Sequence, residues 1–276
     1  MKQRWLVAVV GLPLLLLVLL ACPDWATMLL MSVISALAAY ELLKVAGTNV
    51  TRELYFLVLL FAAARVFVLY RFGVPADPVA GFLRGPLPLT VCLFAASVFT
   101  FGGENAIPFS TVTAGIVGGA VFPTMFGCIL LLRMQEGFGR LYVLAPFFIA
   151  FAGDSLAMYF GKWFGKKKMA PHVSPNKTWA GFYGNALGSA LGMLLLGVIG
   201  NRFYGYAPNY GMLALVGAVS NLFGQLGDLS TSLIKREHGV KDYSRLFLTH
   251  GGVLDRFDST LFIAPVVYIF VNCGVI

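Results

Sequence analysis

The stretch LPLLLLVLL, residues 12–20, contains one proline and no polar side chain. Strands of a membrane barrel alternate lipid-facing and lumen-facing residues, and this run does not alternate. It reads as part of a helix that crosses a bilayer. The rest of the 276-residue chain has the same character: 59% of residues are hydrophobic and only 12% charged, with a mean hydropathy of +0.83. A soluble domain carries about 25% charged residues. The composition excludes a soluble globular enzyme, a disordered tail and a disulfide scaffold. It leaves an all-α, polytopic integral membrane protein.

A spanning helix needs roughly 20 mostly apolar residues. Apolar runs bounded by charge or by Gly and Pro predict nine spans: 5–22, 25–46, 54–70, 87–101, 110–132, 141–161, 181–200, 211–232 and 259–274. The fourth and ninth are short. Gly/Pro-rich residues 71–86 are expected as a loop. No soluble domain fits between the spans, so 1–276 is expected to be one membrane domain. Residues 1–140 supply helices alone, and 141–276 carry helices with two polar loops. The first helix is expected to be retained, although LLAC ending at Cys22 has the look of a lipoprotein cleavage box.

The net charge is +8. This excess fits the positive-inside bias of membrane proteins, and nucleic acid is not expected as a partner. With the N-terminus in the cytoplasm, Lys2, Arg4, Lys44, Arg52 and all Lys and Arg of 162–180 and 233–258 face inward. Arg71, Arg84, Arg133, Arg140 and Arg202 face outward. Both long polar loops then share the cytoplasmic face. Cys22, Cys92, Cys128 and Cys273 lie singly in apolar stretches, with neither zinc-site nor disulfide spacing.

Three carboxylates lie in or beside apolar runs: Glu41, Asp154 and Asp228. Ionisable groups at membrane depth are costly and face a partner or a polar cavity. Glu41 is expected to pair with Lys44, three residues on. Asp154 could serve a helix contact, an ion pair with Arg65, or a site. Asp228, with Gly224 and Gly227 beside it, leads directly into a charged loop, which favours a site.

The first loop contains SPNKTWAG, residues 174–181. Ser174 followed by Pro175 predicts a helix start, with Lys177 and Thr178 in its first turn. Exposed helix N–H groups, a lysine and two hydroxyls would form a phosphate cradle. Lys166, Lys167 and Lys168 are expected to anchor on anionic lipid, and His172 to lie on the surface. The second loop, 232–259, sets Lys235, Arg236, Lys241, Arg245 and Arg256 against Asp242, Asp255 and Asp258. Asp255 and Asp258 share a helical face. Paired carboxylates near arginines suit Mg²⁺ held jointly with phosphates.

The run S-x-x-K-R-x(4)-K-D…H-G-G-x-x-D-R-x-D, from Ser232 to Asp258, resembles the signature of the phosphatidate cytidylyltransferases (CDP-diacylglycerol synthases). SPNKTWAG resembles that family's second motif. The sequence departs from the pattern at Leu248 and Thr249, where Pro-Gly is usual, at Ala180, where Glu is common, and at Arg245, which replaces Lys. The resemblance implies transfer of a cytidylyl group from CTP to phosphatidate, with Mg²⁺ as cofactor, at the cytoplasmic face of a bacterial membrane. Its expected partners are CTP, phosphatidate, the bilayer and, for the assembly, a second copy of the chain. Resemblance and chemistry together assign Asp228 and Asp255 as metal ligands, with Asp258 and Asp154 as further candidates. They assign Lys177, Ser174, Thr178, Lys235 and Arg236 to the phosphates, and Lys241, Asp242, Arg256 and His250 to loop support. Asp228, Asp255, Asp258, Lys177 and Arg256 form the expected catalytic set. The rival classes are a CTP-dependent polyprenol or dolichol kinase and a secondary transporter. No internal pseudo-symmetry favours the transporter.

Overall fold

A computed structural model describes residues 11–246 and 251–276. The expectations for Lys2, Arg4, the start of the first span, Leu248, Thr249 and His250 lie outside the described residues. The chain forms α1 (Leu12–Leu20), α2 (Asp24–Ala46), α3 (Arg52–Phe72), α4 (Pro78–Arg84), α5 (Pro86–Thr100), α6 (Phe109–Ile116) and α7 (Phe122–Arg133). Then come α8 (Gly139–Tyr142), α9 (Ala145–Phe164), β1 (Lys168–Ala170), β2 (Ser174–Thr178), α10 (Trp179–Tyr204), α11 (Tyr210–Glu237) and α12 (Leu254–Asn272). It is an all-α polytopic membrane protein, with one small hairpin among the described residues. Among the described residues, six helical stretches are long and apolar enough to cross a bilayer: Asp24–Ala46, Arg52–Phe72, Phe109–Arg133, Gly139–Phe164, Trp179–Tyr204 and Tyr210–Glu237. The shorter α1 and α5, and α12 with its charged first turns, fall at the other expected spans.

The chain divides into two compact units, Met1–Leu131 with Glu237–Arg256, and Leu132–Arg236 with Phe257–Ile276. The core of the first unit gathers Leu43, Leu54, Val58, Leu89, Leu93 and Val112. There Val117–Val121 opens into a π-helical turn between α6 and α7. Gly118 and Gly119 make that turn possible against its neighbours: an added methyl would stand 3.1 Å from the Ala39 backbone and 2.9 Å from Val58. The stretch expected as a loop at 71–86 holds the short helix α4, because Asp77 accepts hydrogen bonds from the Val79 and Ala80 amides (3.0 and 3.1 Å) and so caps it.

In the second unit Leu141, Ile149, Met193, Leu196, Leu213, Val216, Ile263 and Val267 share one core. The face of α10 toward α9 is built from glycines. A methyl on Gly192 would lie 2.7 Å from the Phe148 carbonyl oxygen, and one on Gly184 2.6 Å from Phe160 Cβ. Without a hydrophobic drive between helices in lipid, such small residues permit the close backbone packing that holds them.

The helix expected to start at Ser174–Pro175 starts four residues later. Ser174–Thr178 is a strand, antiparallel to β1, pairing Lys168 with Thr178 and Ala170 with Ser174 across an irregular register. Pairing with Lys168–Ala170 holds Ser174–Thr178 extended past the proline. Thr178, not Ser174, is the cap: its Oγ1 accepts the Gly181 amide at 3.1 Å.

Candidate active site

A cavity of about 420 Å³ opens in the second unit. It lies where α9, the end of β2, the first turns of α10 and the second half of α11 converge. Asp154 and Lys162 come from α9, Asn176, Lys177 and Thr178 from β2, Asn185 from α10, and Gln225 and Asp228 from α11. Ala157, Met158, Gly161 and Phe182 form an apolar side. Charge and apolar wall in one recess suit an amphiphile with an anionic head.

Lys177 Nζ and Asp228 Oδ2 form an ion pair in the cavity at 2.6 Å. The hairpin makes it: Lys177 sits in the strand just before the Thr178 cap, not in a helical turn. Arg236 steadies the same hairpin, donating from Nε to the Val173 carbonyl at 3.4 Å. Asp154 accepts from Asn185 Nδ2 at 3.2 Å, and Ser189 Oγ approaches Asn185 Oδ1 at 3.4 Å. Within the first unit, Arg65, the partner the sequence offered Asp154, donates from Nε to Thr124 Oγ1 at 2.9 Å.

Asp258 lies within electrostatic range of Asp228, Lys235 and Asp154. The glycines flanking Asp228 bring α12 close. A methyl on Gly227 would stand 2.6 Å from the Asp258 carbonyl oxygen, and one on Gly224 2.7 Å from Ile263. Ser232 Oγ donates to Asp228 Oδ1 at 3.4 Å. Ser174 is half-buried at the start of β2, and Lys235 is buried in the last turn of α11.

The remaining predicted residues belong to the first unit. Lys241, Asp242 and Arg256 are exposed there. Asp255, 9% exposed, accepts at Oδ2 from the amides of Tyr243 (2.8 Å) and Gly252 (2.9 Å). Glu41 does not pair with Lys44, whose ammonium lies over the Tyr40 ring at 5.9 Å. Glu41 takes Ser244 Oγ and the amides of Val253 and Leu254 instead.

Among the described residues no three His, Cys, Asp or Glu side chains gather as a metal cluster. Mg²⁺ does not require one, since it binds through one or two carboxylates with substrate phosphates and water. Asp154 and Asp228, opening into one cavity, fit that donor set.

Comparison with known sequences decides the family. The cytidylyltransferase family profile matches residues 2–274. The chain belongs to the cytidylyltransferase family. Curated members similar to it include a phosphatidate cytidylyltransferase of Staphylococcus epidermidis, 44% identical over 131 residues, 48% of this chain and 49% of that one. The Bacillus subtilis phosphatidate cytidylyltransferase is 35% identical over 182 residues, 66% of this chain and 63% of its own. That of Staphylococcus aureus is 43% identical over 131 residues. The matched regions thus span about half to under two thirds of these relatives' length. Two polar residues of this family member's cavity, Asn185 and Gln225, carry no charge and escape a search for ionisable groups. The signal was present: Gln225 precedes Asp228 by three residues on the same helical face.

Proposed function

We propose that this cytidylyltransferase makes CDP-diacylglycerol and pyrophosphate from CTP and phosphatidate, at the cytoplasmic face of a bacterial membrane. The observation that carries this reading is the Lys177–Asp228 pair, set in a cavity with Asp154 and Asn185 and an apolar wall. A phosphatidate oxygen attacks the α-phosphorus of CTP, a new P–O bond forms, and the α–β bridging bond breaks to release pyrophosphate. The second pKa of a phosphate monoester is about 6, so the nucleophile is already ionised and needs no general base. The obstacle is repulsion between two polyanions, so catalysis is positioning and charge neutralisation.

Lys177 is a compact ammonium on a flexible stem. A substrate phosphate offers it a second anion in place of Asp228. Of the other proposed phosphate ligands, Thr178 lines the cavity, and Ser174, Lys235 and Arg236 would act from beyond its lining. Asn185 fixes the Asp154 carboxylate, and Met158 and Phe182 receive the apolar part of the lipid. Asp154 and Asp228, with Asp258 in reserve, would hold Mg²⁺, which when bound neutralises developing charge on phosphate oxygens. Asp255, a further proposed metal ligand, and Arg256 belong to the catalytic set, and Lys241, Asp242 and His250 support the segment that carries them.

The test is incubation of the purified protein with phosphatidate and CTP labelled at either the α or the γ phosphorus. Label from the α position appears in lipid if the proposal holds. Label from γ in lipid identifies a lipid kinase, and no labelled lipid at all overturns both.

A further inference from the structure

The reaction as derived makes no use of Glu41, yet this carboxylate is 2% exposed in the apolar helix α2. A buried charge survives only where donors replace water. Here Oε1 accepts from Ser244 Oγ at 2.6 Å and from the Val253 amide at 2.9 Å, and Oε2 from the Leu254 amide at 2.9 Å. Gly252 presses against the same carboxylate, and any side chain there would overlap it. Gly251, at φ +78°, makes the turn that precedes it.

Asp255 acts from the other side, through the amides of Tyr243 and Gly252. Together two carboxylates take up the N–H groups of Tyr243, Gly252, Val253 and Leu254. A helix start preceded by two glycines has the outward form of an anion cradle, because its first amides lack partners within the helix. In this protein the Val253 and Leu254 amides already have an acceptor, and it comes from a helix more than 200 residues earlier in the chain.

We infer that Glu41 is a positioning residue of the cytidylyl transfer: it ties the Ser244 hydroxyl to the Val253 and Leu254 amides in a clasp and sets the start of α12, and with it Asp255 and Arg256. The clasp also closes the Val253 and Leu254 amides to phosphate, which leaves the substrate phosphates to Lys177, Lys235 and Arg236. The kinetic part of this inference rests on the proposed reaction, while the clasp itself does not.

The test uses the full-length protein in detergent, with Glu41→Gln and Glu41→Ala compared to the control Glu53→Gln. Gln keeps the reach of Glu and one acceptor oxygen, so it should retain more function than Ala. Misplacement of supporting groups by about 1 Å costs on the order of 10²-fold in rate. Glu41→Gln should therefore lower kcat about 10-fold and Glu41→Ala about 100-fold, with KM for CTP within about threefold of wild type. Hydrogen exchange read on peptides covering 243–246 and 251–256 should speed up at least about tenfold in both variants. Peptides from α9 and α10 should be unchanged, and Glu53→Gln should alter neither readout.

Unchanged exchange in 251–256 would overturn the clasp. Faster exchange with wild-type kcat would overturn the positioning role. A rise in exchange across every helix, with kcat falling only as the folded fraction falls, would also overturn it by reducing Glu41 to a stability residue. If the wild-type protein transfers nothing from CTP, the proposed reaction fails, and the exchange data still decide the clasp.

Discussion

Two pairs of acids occupy this protein under opposite terms. Glu41 and Asp255 are buried and held chiefly by backbone amides, groups that cannot leave without unfolding the segment that carries them. Asp154 and Asp228 open into a cavity and are held by the side chains of Asn185 and Lys177, groups that can turn to another partner. The kind of donor differs where the residue type does not. Backbone donors fix a carboxylate in place, whereas side-chain donors leave it available to a ligand.

The contrast breaks most readily at Asp228. Asp228→Asn should lower transfer of α-labelled CTP to lipid by about 10²–10³-fold or more, the size expected for a key electrostatic group, with the protein still folded. Chelation should abolish the wild-type activity and added Mg²⁺ restore it. Near-wild-type turnover of Asp228→Asn would put the cavity outside the reaction.

A sharper comparison lies within one hairpin. Lys177→Ala should cost about 10²-fold at saturating phosphatidate in neutral detergent. The triple change of Lys166, Lys167 and Lys168 to Ala should act through affinity for anionic lipid, at about 1 kcal/mol per lysine, and leave turnover in neutral detergent nearly intact. The reverse ranking would move the phosphate site into the lysine run.

Asn185→Ala should have a smaller effect. It removes one neutral hydrogen bond to Asp154, worth about 1 kcal/mol, so a loss of about fivefold in kcat is expected, with no change in the requirement for Lys177. A loss as large as that of Asp228→Asn would make Asn185 a substrate ligand. The smallest effect belongs to Thr178→Ala, which deletes the cap of α10 and one proposed phosphate-binding hydroxyl, so turnover per folded molecule should fall by about threefold at most. It should cost about 1 kcal/mol of stability, read as a Tm shift of a few degrees in detergent.

Much of this architecture was written in short-range pattern. Unbroken apolar runs gave the helices, because one spanning helix satisfies its own backbone and needs no distant partner. Asp154 and Asp228 stood out because charge inside such runs is rare, and both line the cavity. Sequence proximity failed where the partner was far away. Lys44 was the visible neighbour of Glu41, while its true donors lie at Ser244, Val253 and Leu254. Ser174–Pro175 carried an honest helix-start signal, but pairing with Lys168–Ala170 outweighed it. The π-helical turn at Val117–Val121 likewise depends on what its two glycines meet across the first unit.

The glycine face of α10 has a consequence for mutational scanning. Gly184 and Gly192 have no room for a methyl group, and at Gly188 it would overlap the Ala152 carbonyl. A library screened for growth would score a row of intolerant positions four residues apart, running away from the cavity along the helix. That row would look as constrained as Lys177 or Asp228 while touching no substrate. Intolerance to alanine marks contact distance there, and only the positions that accept alanine yet lose turnover report on chemistry.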